Sequence, residues 1–187
     1  MEKAEYKNYK IISFTSRGKE LADRVLFLVS GGEFERGCDD SGLGKGERYK
    51  KSFGRETAVV KGIDDGFTLD GFVKENFHRG NVLIFIGAAG IAVRAIAPYI
   101  EDKTKDPAVV VIDERALHVI PVLSGHLGGA NDLARRIAEV TGSSCGITTA
   151  TDVNGICAVD EWSKRQNCAL LEKDKIVEIS GALLAIS

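Results

Sequence analysis

The sequence predicts an α/β fold: a three-layer, open, mostly parallel sheet with helices on both faces and a short C-terminal helical extension. Two observations carry this. Val82-Leu83-Ile84-Phe85-Ile86 and Val109-Val110-Val111-Ile112 are uninterrupted apolar runs, and strands read this way when helices cover both faces of a parallel sheet. Around them lie segments whose apolar residues recur at helical spacing. Leu21, Ala22, Val25, Leu28 and Val29 mark one such stripe, and Ala130, Leu133, Ala134, Ile137 and Ala138 mark another.

In chain order, Ile11-Ile12-Ser13-Phe14 reads as the first strand and Arg17 to Val29 as the helix after it. Gly31 to Gly54 is rich in glycine and charge without a period, which predicts a long surface loop. Gly44-Lys45 within it is not a phosphate-binding P-loop, because the earlier glycine and the following Ser or Thr are missing. Thr57 to Val60 reads as a short strand and Phe67 to Phe77 as a helix. The Val82 run follows as a central strand, with the Val109 run beside it. Asp113 to Ala116 turns the chain back into Leu117-His118-Val119-Ile120, a hairpin, with Pro121 at a strand end or edge. Gly146-Ile147-Thr148-Thr149 reads as a last short strand. Val159 to Asn167 and Ile176 to Ile186 read as further helices. The division expected is one α/β domain over residues 1–155 and a helical extension, or the start of a middle segment, over 156–187.

Composition narrows the function classes. A net charge of −2 over 187 residues leaves no basic footprint for nucleic acid. No run approaches the roughly 18 apolar residues of a membrane span. The charged start Met1-Glu2-Lys3-Ala4-Glu5 lacks the apolar stretch of a secretion signal. Cys38, Cys145, Cys157 and Cys168 form no C-x-x-C pair, and three scattered histidines make no metal-ligand pattern. Free thiols in a reducing cytoplasm, no cofactor and no resident metal are the expectation.

The polar and glycine-rich groups fall next to predicted strand ends, where ligands bind in open α/β sheets. Gly87-Ala88-Ala89-Gly90 links the Val82 run to a helix. Small residues there let backbone N–H groups approach an anion, or simply permit a tight turn. The dinucleotide fingerprint needs a third glycine that is absent. Ile91, Ala92, Val93, Ala95, Ile96 and Ala97 leave almost no polar face, so this helix should be buried all round. Arg94 is its single charge. It serves a structural ion pair, reaches solvent along its stem, or faces a ligand carboxylate in bidentate geometry.

Ser124-Gly125-His126-Leu127-Gly128-Gly129-Ala130-Asn131 is the strongest candidate for chemistry. A loop histidine among glycines cannot be filling a core, and an imidazole titrates near neutrality, as general acid–base work requires. Gly128 and Gly129 would place backbone donors beside it for an oxyanion. The alternative is a helix N-cap with His126 bonded to backbone. A serine nucleophile is disfavoured because the G-x-S-x-G elbow is missing. Thr148, Thr149, Thr151 and Asp152 offer hydroxyls and a carboxylate that bind a polar ligand or cap the next helix. The charged turn Asp102 to Asp106 reads as a solvated loop. One cleft lined by the 87–90 turn, the 124–131 loop and the 148–152 strand end is the geometric expectation.

These residues together resemble one family. Phe85 through Pro98, Asp102 through Val109, Leu123 through Asn131, Ile147 through Asp152 and Ala158-Val159-Asp160-Glu161-Trp162 are similar to the motifs of the cobalt-precorrin-5A hydrolase family of anaerobic cobalamin biosynthesis. The match is specific from about Val82 to Trp162; residues 10 to 29 look like the family's opening strand and helix.

The resemblance implies opening of a δ-lactone on a cobalt-bearing, ring-contracted tetrapyrrole, cobalt-precorrin-5A, giving cobalt-precorrin-5B and acetaldehyde. The cobalt belongs to the substrate. On this reading His126 and Asp152 are the catalytic residues. Gly87, Ala88, Ala89, Gly90, Arg94, Ser124, Gly125, Gly128, Gly129, Asn131, Thr148 and Thr149 bind substrate. The family continues into a C-terminal domain that these residues do not include. That domain, a partner chain or a second copy would then cover the apolar helix at 91–97. The alternative function is a non-catalytic tetrapyrrole-binding or docking domain that needs such a partner for activity.

Overall fold

The computed structural model describes residues 8–29, 58–61, 68–155, 162–163, 166, 168, 171–172 and 175–186. The strands are β1 (Asn8–Ser13), β2 (Ala58–Lys61), β3 (Asn81–Ile86), β4 (Ala108–Ile112), β5 (His118–Leu123) and β6 (Ser144–Cys145). The helices are α1 (Ser16–Val29), α2 (Leu69–Asn76), α3 (Ala89–Ile96), α4 (Ala130–Thr141), α5 (Ala150–Val153) and α6 (Lys175–Ile186). One sheet runs in the order β2-β1-β3-β4-β5-β6. The β2–β1, β1–β3, β3–β4 and β5–β6 pairs are parallel, and β4–β5 is antiparallel. The Val82 and Val109 runs are thus neighbouring inner strands, as their unbroken apolar character requires, and every residue of β3 and β4 is buried.

Alternation along the strands feeds two separate cores, which makes three layers. Ile11, Ile84, Val110 and Val119 meet α1 and α4 on one face, through Leu21, Val25, Leu133 and Ile137. Ile12, Leu83, Phe85 and Val109 meet α2 and α3 on the other, through Phe72, Val73, Ala92 and Ile96. Thr68 begins α2 by accepting the Gly71 N–H at 3.0 Å, the expected cap chemistry. Pro121 lies opposite Val110, and the β4–β5 register shifts between Val109 and Val110. A residue with no N–H breaks the ladder there, so the irregularity sits where the sequence forces it.

The hairpin has a larger consequence. Ile112 pairs with Val119 and Val109 with Leu123. The end of β5 therefore lies beside the start of β4. In β3, Val82 pairs with Ala108 and Ile86 with Ile112. Gly87, just after Ile86, is at one end of the sheet; Ser124, just after Leu123, is at the other. Strands of this length separate the two ends by about 15–20 Å. The single cleft expected from sequence does not form.

Two elements differ from expectation. The last strand is Ser144–Cys145, not Gly146–Thr149. Gly146 still donates to Val119 O at 2.8 Å, but the next residues leave the sheet to start α5. The helix at 91–97 is not buried all round: only Ala92 and Ile96 are, while Ile91 is 38% and Val93 47% exposed. As an outer-layer helix it needs only one buried stripe, and here small residues supply much of it. The loop expected at Gly31–Gly54 lies outside the described residues, as does most of the helix expected at Val159–Asn167. The helix expected at Ile176 to Ile186 is α6.

Candidate active site

A loop and a short helix meet at the end of the sheet where β5 stops. Ser124 has a left-handed backbone, φ 55°, and its hydroxyl donates to Asp106 O at 3.1 Å. That bond ties the loop to the buried Asp106 just before β4. The Ser124 and Gly125 carbonyls accept the Ala130 and Asn131 amides at 3.2 and 3.1 Å, closing the loop onto the start of α4. Gly128 packs so tightly that a Cβ there would lie 2.4 Å from Ser124 Cβ; on Gly125 it would lie 2.7 Å from Asn131 Oδ1. Gly129 adopts φ 81° as the residue before α4. These glycines serve loop closure. The Gly129 amide is spent on His126 O at 3.1 Å, so it is not an oxyanion donor. The Gly128 amide has no partner among the described residues.

The closed loop turns His126 toward α5. His126 Nε2 lies 2.6 Å from Asp152 Oδ2, with the two side chains 15% and 8% exposed. The same Oδ2 accepts Asn131 Nδ2 at 2.8 Å and the Thr149 hydroxyl. Asn131 Nδ2 also reaches Thr149 Oγ1 at 3.0 Å. The other oxygen, Oδ1, pairs with Arg135 Nη2. Thr151 Oγ1 is 3.4 Å from His126 Nε2. Burial pushes the Asp152 carboxyl up, but hydrogen bonds from Thr149, His126 and Arg135, with the Arg135 charge, outweigh it and hold the group at about 2. Asp152 is therefore a carboxylate at neutral pH. An ionised carboxylate only accepts, so His126 Nε2 carries the proton in the pair and Nδ1 is the ring's proton-accepting nitrogen.

The structure thus brings His126, Asn131, Thr149 and Asp152 together, with Ser124, Gly125, Gly128 and Gly129 shaping the loop. Thr148 is exposed and outside the cluster. Gly87, Ala88, Ala89, Gly90 and Arg94 are at the other sheet end. Arg94 Nη1 donates to Gly90 O at 3.1 Å on an exposed surface, so it folds back on its own helix. Sequence analysis does not single out Arg135, which lies outside the apolar stripe of α4. The usable signal was spacing: Arg135 follows Asn131 by four residues, hence on the same helix face. Among the described residues no group of three or more His, Cys, Asp or Glu is arranged to hold a metal. Among them, too, no helix is long and apolar enough to cross a membrane.

Residues 71–152 match the family described as Cobalamin synthesis G N-terminal. A cobalt-precorrin-5A hydrolase of Salmonella typhimurium is 47% identical over 65% of this chain and 34% of its own length. One from Priestia megaterium is 43% identical over 58% of this chain and 29% of its own length. The chain therefore spans about a third of the length of these relatives. A crystal structure described as a cobalamin biosynthesis protein G homolog from Sulfolobus solfataricus superposes with a TM-score of 0.55. It covers 96% of this chain and 47% of that one at 22% identity, a likeness of fold.

Proposed function

We propose that this chain, which carries a cobalamin synthesis G N-terminal module at residues 71–152, acts in hydrolysis of cobalt-precorrin-5A to cobalt-precorrin-5B and acetaldehyde. The observation that carries the reading is the His126–Asp152 pair, held by Asn131, Thr149 and Arg135 inside the matched residues.

The geometry supports the following reading of the chemistry. His126 accepts a proton from water at Nδ1, and the hydroxide equivalent adds to the lactone carbonyl. Asp152 fixes the ring's tautomer and stabilises the imidazolium that forms. The Gly128 amide, without a partner among the described residues, supplies the backbone donor for the developing oxyanion. Collapse breaks the acyl C–O bond, leaving a carboxylic acid and a secondary alkoxide. The alkoxide then becomes acetaldehyde as its bond to the macrocycle breaks, and the released electron pair is taken up by the macrocycle and protonated. Arg135 holds Asp152 ionised and does not touch the reacting atoms. The 87–90 turn and Arg94 have no part in these steps.

The test is to mix the protein with cobalt-precorrin-5A and measure acetaldehyde alongside the tetrapyrrole absorbance. Acetaldehyde release that falls by about two to four orders of magnitude in His126→Ala, with binding retained, supports the assignment. A spectral shift without acetaldehyde would make the chain a binding module. Full turnover by His126→Ala would remove the histidine from the chemistry.

A further inference from the structure

A polar cavity lies at the opposite end of the sheet from His126. Its volume is about 460 Å³, and Arg17, Glu20, Leu21 and Arg24 of α1 form one wall. Glu114, Arg115 and Ala116 of the β4–β5 turn form the other. The two walls are fastened together, because the Thr15 hydroxyl at the start of α1 donates to Glu114 Oε1. The turn is itself held rigid. Asp113 accepts the Arg115 amide at 2.9 Å and the His118 amide at 2.5 Å. Ala116 adopts φ 53°, a conformation a β-carbon disfavours. Strain of this kind persists only where the surroundings over-determine it, and it gathers at binding and catalytic sites.

Three guanidinium groups share this cavity, and none has an ion-pair partner among the described residues. The location is also one where open sheets bind ligands. The chain leaves β1 for α1 on one face and leaves β3 for α3 on the other. That reversal opens a crevice at these strand ends, and the cavity borders it on the α1 side. At the same strand end Ser13 is fully buried beneath α1, its hydroxyl without a hydrogen-bond partner among the described residues.

We propose that this cavity binds a small polycarboxylate, at a site separate from the His126 cluster and independent of the reaction assigned to it. Spacing selects the class. Arg17 and Arg24 are seven residues apart on one helix, about 10 Å along its axis, and Arg115 faces them from the turn. Carboxylates spread over several ångströms can each pair with one guanidinium, whereas a single compact phosphate would need all three to converge on one point. Glu20 and Glu114 add acceptors, which favour a ligand that also carries hydroxyl groups.

Calorimetric titration of the whole chain with citrate, at low ionic strength, tests the site. Inorganic phosphate and acetate are the comparison ligands. Saturable one-site binding of citrate, tighter than either, is expected. Arg17→Gln and Arg115→Gln should each weaken it about tenfold. His126→Ala, and Arg79→Gln at the opposite end of the sheet, should leave it unchanged. All four positions lie outside the buried core, and circular dichroism checks that each variant is folded. Non-saturable uptake, or equal weakening by Arg79→Gln, would reduce the effect to general charge attraction. Loss with His126→Ala would move the anion to the other site, and phosphate binding more tightly than citrate would refute the ligand class.

Discussion

Asp152 is where burial and charge compete most sharply. Its side chain is 8% exposed, yet four donors keep it ionised, one of them a guanidinium. The sign of the pH effect follows. The folded carboxyl titrates at about 2, and an unperturbed one at about 3.9. Its stabilising contribution is complete above about pH 5 and is lost as pH falls through 4 toward 2. Arg135 is 43% exposed and screened by solvent. A contribution of about 1–2 kcal/mol is therefore expected, below the value for an isolated shift of this size. Urea denaturation at pH 6 and pH 3 should show wild type losing about half of that increment and Asp152→Asn losing less. An equal pH response in both proteins would mean Asp152 is not held ionised by the fold. The same substitution should cut turnover by about one to three orders of magnitude, because the amide can present its N–H to Nε2 and invert the tautomer.

The loop from Ser124 to Gly129 works as one element, and its glycines are the parts that cannot change. At Gly128 even a methyl group would overlap the Ser124 side chain and carbonyl, at 2.4 and 2.6 Å. Gly128→Ala should therefore cost about 1–3 kcal/mol and loosen His126 from Asp152. Chemical denaturation gives the first quantity, and amide exchange at Ala130 and Asn131 reads the second. Wild-type stability would show that the loop relaxes freely. Most elements were legible from sequence because one signal dominated each: unbroken apolar runs for β3 and β4, helical stripes for α1 and α4. The hairpin between Ile112 and His118 was legible too. What it does to direction was not carried through, and so the 87–90 turn was placed in the wrong company. Arg135 escaped because hydropathy sorts a helix by its apolar face, whereas its partner Asp152 is 17 residues away in sequence. Ile91 and Val93 misled in the opposite sense, as apolar side chains left partly exposed on an outer layer.

Across the whole molecule, the antiparallel β4–β5 pair places the His126 cluster and the arginine-lined cavity at two ends of a sheet that is otherwise parallel. The His126 cluster occupies one end. The Gly87–Gly90 turn, Arg94 and the arginine-lined cavity occupy the other. Packed sheets are stiff, and sites without shared partners perturb stability independently. Among the described residues Arg94 hydrogen-bonds to Gly90 of its own helix alone, and it shares no partner with His126. Arg94→Ala and His126→Ala should therefore add to within about 0.5 kcal/mol in a double-mutant cycle on folding stability. Asn131→Ala and Asp152→Ala share a hydrogen bond of 2.8 Å. That pair should depart from additivity by about 0.5–3 kcal/mol, because the first loss already removes part of what the second would break. The two cycles control for each other, since both are read by the same denaturation experiment. Strong coupling in the first cycle would join the two ends into one energetic unit and contradict the separation built by the hairpin. Additivity in the second would mean that Asn131 does not help to hold Asp152, and the clamp around the Asp152 carboxylate would rest on His126, Thr149 and Arg135.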